Sequence, residues 1–178
     1  LDSYTYSCAL RQYIDTYKID PQLNIWNVHH DHCFASIDKK QLQKITANFR
    51  DKGYVKEKLQ KLHQRINSRK ATSFVPQWWE DVRTLFEFDN KPLAKCNSLE
   101  KVISFYTTEF HKVDRAIRNI YASFLQEQDI VRPLQEHYES LNHELLQHWF
   151  EYNHQYQPNQ QGFLPELIAK SKPRTAII

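Results

Sequence analysis

The chain has 178 residues, 40% of them hydrophobic and 13% aromatic, with a net charge of +3 and a mean hydropathy of -0.73. That is enough apolar material to bury one core, or a core with an extra lobe, and it excludes an intrinsically disordered chain. Only two glycines occur, Gly53 and Gly162, where average usage would give about a dozen. All-β folds and phosphate-cradling loops need many positive-φ positions and are excluded on that ground. Neither GxGxxG nor a P-loop motif is present, which excludes nucleotide enzymes of those types.

Three widely spaced cysteines, Cys8, Cys33 and Cys96, form no CxxC. They predict a reducing, cytoplasmic setting with no disulfide framework. No stretch approaches the ~20 apolar residues of a membrane span, and no basic-then-apolar leader opens the chain, so no membrane partner is expected. The chain starts at Leu1 without an initiator Met and stops on the apolar run Thr175-Ala176-Ile177-Ile178. Both features predict a piece of a longer protein.

In chain order, Tyr6, Leu10, Tyr13, Ile14 and Tyr17 recur at helical spacing over Tyr4 to Tyr17, and Pro21 ends that helix. Residues 22–36 are irregular. A second helix begins at Ser36 or Asp38, with Ile37, Leu42, Ile45 and Phe49 inward, and Gly53 punctuates it. Tyr54 to Asn67 is amphipathic, with Val55, Leu59, Leu62 and Ile66 on one face. After a connector over 68–76, Gln77 to Phe88 forms a short aromatic helix that Asp89-Asn90-Lys91-Pro92 breaks.

Ser98 predicts the N-cap of a long helix from about Leu99 to Gln126, with Glu100 favourable in its first turn. A further long helix covers Gln128 to Tyr152, with Leu134, Tyr138, Leu141, Leu145, Leu146 and Trp149 inward and Pro133 tolerated near its start. A polar loop over 155–162, a short helix over 163–169 and a strand over 174–178 follow. The predicted fold is therefore all-α, an irregular bundle of five to seven helices. The terminal strand belongs to the sheet of an α/β domain not in this chain. The expected organisation is an N-terminal helical lobe (1–97, with the basic helix 54–67), a long-helix lobe (98–173) and the first strand of a downstream catalytic domain (174–178).

Four constellations are candidate sites. Between Arg50 and Lys70 eight basic residues face two acidic ones, a local charge of +6. Within it Lys58, Lys61, Arg65 and Arg69 step by three and four, flanking the apolar stripe. With Lys56 and Lys70 they form either a row that follows phosphates or an ordinary solvated helix face. The run His29-His30-Asp31-His32-Cys33 carries metal-ligand residue types. On a helix His29 would face Cys33 and nearly His32, yet no second cluster completes a site and contiguous histidines diverge, so no metal is assigned. Trp78-Trp79, with Phe74, Val82, Leu85, Phe86 and Phe88, is either a docking anchor or core. Asp114, Arg115 and Arg118 offer an i,i+4 ion pair, or an anion- or helix-holding group if turned inward. No nucleophile stands with a base at suggestive spacing, so no residue of this chain is assigned to catalysis.

Three stretches together resemble one family: SFYTTEFHKVDRAIRNIYASFL (104–125), HYESLNHELLQHWFEYNHQYQPNQQGFLPEL (137–167) and KPRTAII (172–178). They are similar to the helical region immediately upstream of the alkaline-phosphatase-like domain in PglZ-type proteins of the BREX (phage growth limitation) antiviral systems. There a VDRxxR helix is followed by an LQxWF helix and then a TAII-like strand. The likeness covers 98–178 well and 1–97 loosely. It implies a metal-dependent phosphatase or phosphodiesterase in the full protein, with a divalent metal, zinc first, bound beyond Ile178. It implies a structural or docking role for Asp114, Arg115 and Arg118, and other BREX proteins as partners, with DNA as a further candidate. This chain would be the non-catalytic helical module that positions the catalytic domain. The competing expectations are a nucleic-acid-binding module working through the basic helix, and a protein scaffold docking through the aromatic block.

Overall fold

The computed structural model describes residues 4–156 and Ala169. The expected strand 174–178, most of the expected loop 155–162 and all but the last residue of the expected helix 163–169 lie outside the described residues. Within them the chain is all-α and contains no strand. The helices are α1 (Tyr4–Thr16), α2 (Ala35–Ala47), α3 (Lys52–Ile66), α4 (Trp78–Glu87), α5 (Leu99–Phe105), α6 (His111–Phe124) and α7 (Gln128–Tyr152). A π-helical segment, Tyr106–Phe110, joins α5 to α6 without leaving the helical backbone region. The six helical rods that result fall within the expected range.

Local signals account for most boundaries. Ser98 caps α5, its hydroxyl accepting from the Lys101 amide, and Glu100 lies in the first turn. The break between α2 and α3 differs from expectation. Gly53 lies inside the first turn of α3 at a negative φ and punctuates nothing. The Asp51 carboxylate makes the break, accepting the Tyr54 amide at 2.9 Å. Pro133 lies in the second turn of α7, where its missing N–H removes one helical bond and the helix continues.

α4 packs along α6, α2 and α6 pack against α7, and α3 closes on α4. The larger core combines Leu42, Ile45, Leu59, Leu62, Trp79, Val82 and Leu85 with Ile117, Ile120, Ile130 and Leu134. It thus draws on both sides of residue 97. A smaller cluster joins Leu93, Cys96, Val102, Phe105, Phe110 and Leu145. Among the described residues no helix is long and apolar enough to cross a membrane.

His137 of α7 is half-buried in this packing. Its Nε2 lies 3.2 Å from the Leu85 carbonyl and its ring stacks on Phe86 at 4.8 Å. Burial holds its pKa below the usual 6.5, against the opposing pull of the Leu85 carbonyl. The unfolded chain therefore takes up a proton near pH 6.5 before the folded one does, so stability is full above that value and declines as pH falls through it. The urea midpoint is expected to drop between about pH 7.5 and about pH 5.5, and less steeply in His137→Gln. Parallel slopes for the two proteins would show that His137 has no part in it.

Candidate functional site

Three of the four sequence constellations converge on one buried polar node. Asp38, in the first turn of α2, is wholly buried. Its Oδ1 accepts from Arg65 Nε at 2.9 Å and from Trp79 Nε1 at 2.8 Å, and its Oδ2 accepts from Arg65 Nη2 at 2.9 Å. Arg65 spends its remaining N–H groups on backbone carbonyls. Nη1 donates to His30 at 2.8 Å and to His32 at 2.7 Å, and Nη2 donates to Phe74 at 3.0 Å. All five guanidinium donors are thus used, the condition under which a buried ion pair is tolerated.

This node corrects the basic row. Arg65 is 2% exposed and Lys58 is 9% exposed. Lys58 Nζ reaches the Glu57 carboxylate and lies 5.1 Å from the rings of both Trp26 and Tyr54. The Lys58-to-Leu62 and Leu62-to-Arg65 steps are four and three residues, so both cations sit on the buried face of α3 instead of flanking it. Lys56, Lys61, Arg69 and Lys70 stay exposed, with Lys61 donating to the Trp26 carbonyl. A continuous phosphate-following row does not form.

The aromatic block is core. Trp79 is fully buried, and Trp78 leans on it at 4.4 Å and meets Phe124 edge-on. Trp79 also has the polar role just described, which sequence periodicity does not show.

The histidine run is a turn, not a helix. His32 points inward, only 6% of its side chain exposed, with Nδ1 accepting the Phe34 amide and Nε2 3.9 Å from Asp38. Burial lowers its pKa, with Asp38 opposing and Arg65 adding to the effect. Cys33 stands apart from the cluster that does form. That cluster is His29, His30 and Asp31, whose ligand atoms all lie within 4.8 Å of one another. The rings of His29 and His30 stack at 4.1 Å, so the two neighbours converge where divergence was expected. A cavity of about 280 Å³ adjoins them, lined also by Trp26, His32, Lys61 and Arg65.

The fourth constellation stands elsewhere. Asp114 of α6 is buried and gives one carboxylate oxygen to each of two phenols: Tyr106 donates to Oδ2 at 2.7 Å and Tyr138 to Oδ1 at 2.8 Å. Burial first, then Asp114, raises the Tyr138 pKa, and Asp114 leads the rise at Tyr106. Arg118, largely exposed, stands 3.5 Å away in the expected i,i+4 relation, and Arg115 faces solvent. Tyr106 and Asp114 can meet because the π segment adds a residue to the turn. Eight residues then have the angular reach of seven, a same-face spacing. The structure shows the extra residue as two buried positions, Phe105 and Phe110, five apart, while in the sequence Tyr106 offers an ordinary four-residue step to Phe110 and hides it. Beside Asp114 an apolar groove of about 510 Å³ runs between α5 and α7, lined by Ile103, Tyr106, Asn142, Leu145, Leu146 and Trp149.

Comparison with known protein families, curated proteins and solved structures finds no match to this chain.

Removing one side of the buried pair strands the other. Asp38→Ala and Arg65→Lys are each expected to lose about 3–5 kcal/mol of stability in urea unfolding. Lys56→Ala and Arg69→Ala should each stay within about 0.5 kcal/mol. Equal effects from the two sets would mean that Arg65 behaves as a surface cation.

Proposed function

We propose that this chain is a non-catalytic helical module that positions a PglZ-like, metal-dependent phosphoesterase domain in BREX phage defence. One observation carries the reading: the two helical motifs behind the resemblance meet at the same exposed groove. Asp114 of the VDRxxR stretch lies at its floor, and Leu146 and Trp149 of the LQxWF stretch form its wall. Ile103, Leu146 and Trp149 are each over a third exposed, and Phe150 is 66% exposed beside them.

Apolar side chains grouped on one face in this way suit contact with another folded surface. The occupant is the downstream catalytic domain itself. α7 ends at Tyr152, and Gln155 turns back to accept the Leu99 amide at 2.9 Å, which holds the end of the continuous described segment beside α5. The two carboxylates most deeply placed, Asp38 and Asp114, are both occupied by structural donors, which supports positioning over chemistry in this segment. The divalent metal implied by the resemblance belongs to residues beyond Ile178, so no residue of this chain is assigned to it. Other BREX proteins remain the proposed partners. A DNA-contacting face has less support, because Lys58 and Arg65 leave the basic row.

The test extends the chain with its native downstream sequence and assays a chromogenic phosphodiester with and without Zn²⁺ or Mn²⁺. Hydrolysis is expected from the extended protein only. Leu146→Asp with Trp149→Asp should lower that hydrolysis and open the junction to protease, with the melting of the present chain carrying the same pair measured alongside to show that the bundle still folds. A folded, metal-loaded extension without activity would overturn the phosphoesterase reading. Full activity with both aspartates in place would overturn the groove as the docking face.

A further inference from the structure

The turn that carries His29, His30 and Asp31 is held in place before any ligand arrives. Arg65 donates to the carbonyls of His30 and His32, so the guanidinium that neutralises Asp38 also fixes the backbone on either side of Asp31. The turn closes on itself through the His32 amide, which donates to the His29 carbonyl at 3.2 Å. Asp31 is oriented separately: the Ser68 hydroxyl donates to its Oδ1, and Ser68 Oγ in turn accepts the Ala71 amide at 3.0 Å. That arrangement, a carboxylate held by a hydroxyl that is itself held, is the outer shell that metal ligands characteristically have.

We infer that His29, His30 and Asp31 bind a divalent transition-metal ion, Zn²⁺ in the first instance, on this surface turn. The donor set of two imidazoles and a carboxylate suits zinc and disfavours calcium and magnesium, which take oxygen ligands. With bonds of about 2.0–2.1 Å, tetrahedral zinc ligands stand about 3.4 Å apart. Asp31 is 3.6 Å from His29 Nδ1 through Oδ2 and 3.6 Å from His30 Nε2 through Oδ1, and one ligand atom from each of the three residues lies within 4.8 Å of the others, so modest side-chain rotations bring them to coordination distance. The ion forms bonds to those three side chains and keeps water in the fourth position, with the adjoining cavity to accommodate it.

Binding has one local cost. The Asp31 amide donates to His29 Nδ1 at 3.2 Å, a long bond that metal coordination through that nitrogen would replace. His29 is free to adjust, since 71% of its side chain is exposed. His32 takes no part, because its Nδ1 is bonded to the Phe34 amide and its Nε2 is buried beside Asp38.

The inference concerns this chain alone and stands or falls apart from the phosphoesterase reading. The experiment titrates the metal-stripped chain with Zn²⁺ by calorimetry and repeats it with Co²⁺, whose visible absorption reports coordination geometry. One equivalent is expected, with a micromolar dissociation constant, a tetrahedral-type Co²⁺ spectrum and a raised melting temperature. His29→Gln with His30→Gln should weaken Zn²⁺ binding by about tenfold or more. Both substitutions are on accessible side chains, and the metal-free melting temperature checks that the variant folds. His143→Gln with His154→Gln, on exposed histidines elsewhere, should leave the affinity unchanged. Millimolar or weaker binding, or affinity that the His29 and His30 changes do not alter, would overturn the site.

Discussion

The pairing of Asp38 with Arg65 is the constraint on which the N-terminal half of the molecule depends. Taking both ions out of water carries a desolvation penalty of several kcal/mol each, and their attraction offsets it only when every remaining donor and acceptor is used. Here the bidentate contact, the Trp79 indole and three backbone carbonyls meet that condition. The penalty thereby becomes a geometric requirement. α2, α3, α4, the turn at 29–32 and the connector at Phe74 must all be in place together, since losing any one leaves a buried charge underserved. Apolar packing alone would let α3 slide or rotate against α2; a fork of five fixed donors does not.

Asp114 applies the same logic on a smaller scale. Its two oxygens each take one phenol, so the carboxylate ties α6 both to the π segment that precedes it and to α7, which crosses beside it. The π turn follows from this. An extra residue in a helix is a local irregularity, and it persists where surrounding contacts favour it. Here the extra residue places Phe110 in the smaller core and aligns Tyr106 with Asp114.

The helices and the apolar core were legible in the sequence because periodicity and caps are local signals. Ser98, the stripe along α3 and the extents of the long C-terminal helices are read correctly from spacing, whereas Leu146 and Trp149, expected inward, are over a third exposed, and the π segment interrupts the helix expected to run unbroken from Leu99. Pairwise polar contacts are not local. Nothing in the spacing of Asp38, Arg65 and Trp79, which are 27 and 41 residues from the carboxylate they share, announces that they meet. Charge counting then misleads, because it treats Arg65 and Lys58 as surface groups, while their steps of three and four around Leu62 already put them on the buried face. The histidine run fails for a different reason. Helical geometry predicts His29 beside Cys33, but the segment is a turn, and a turn brings adjacent side chains together.

The two clamps also keep the molecule's two candidate surfaces physically distinct. The turn bearing His29 and Asp31 is fixed through Arg65, whereas the groove bearing Leu146 and Trp149 is fixed through Asp114. The first set of contacts leans on the larger core and the second on the smaller one. Tyr138 and Leu141 of α7, and Phe88 just after α4, pack against both cores, so a load at one surface would reach the other through these elements. A domain seated in the groove would press on the α7 face that carries Leu145. A metal ion on the turn would press on α3 through Arg65. Coupling between them therefore has to pass from α3 to α2 or α4 and then to α6 or α7, through close-packed side chains that resist small displacements. The architecture is that of a rigid spacer: each surface is held by its own buried carboxylate, and what lies between transmits position more readily than it transmits change.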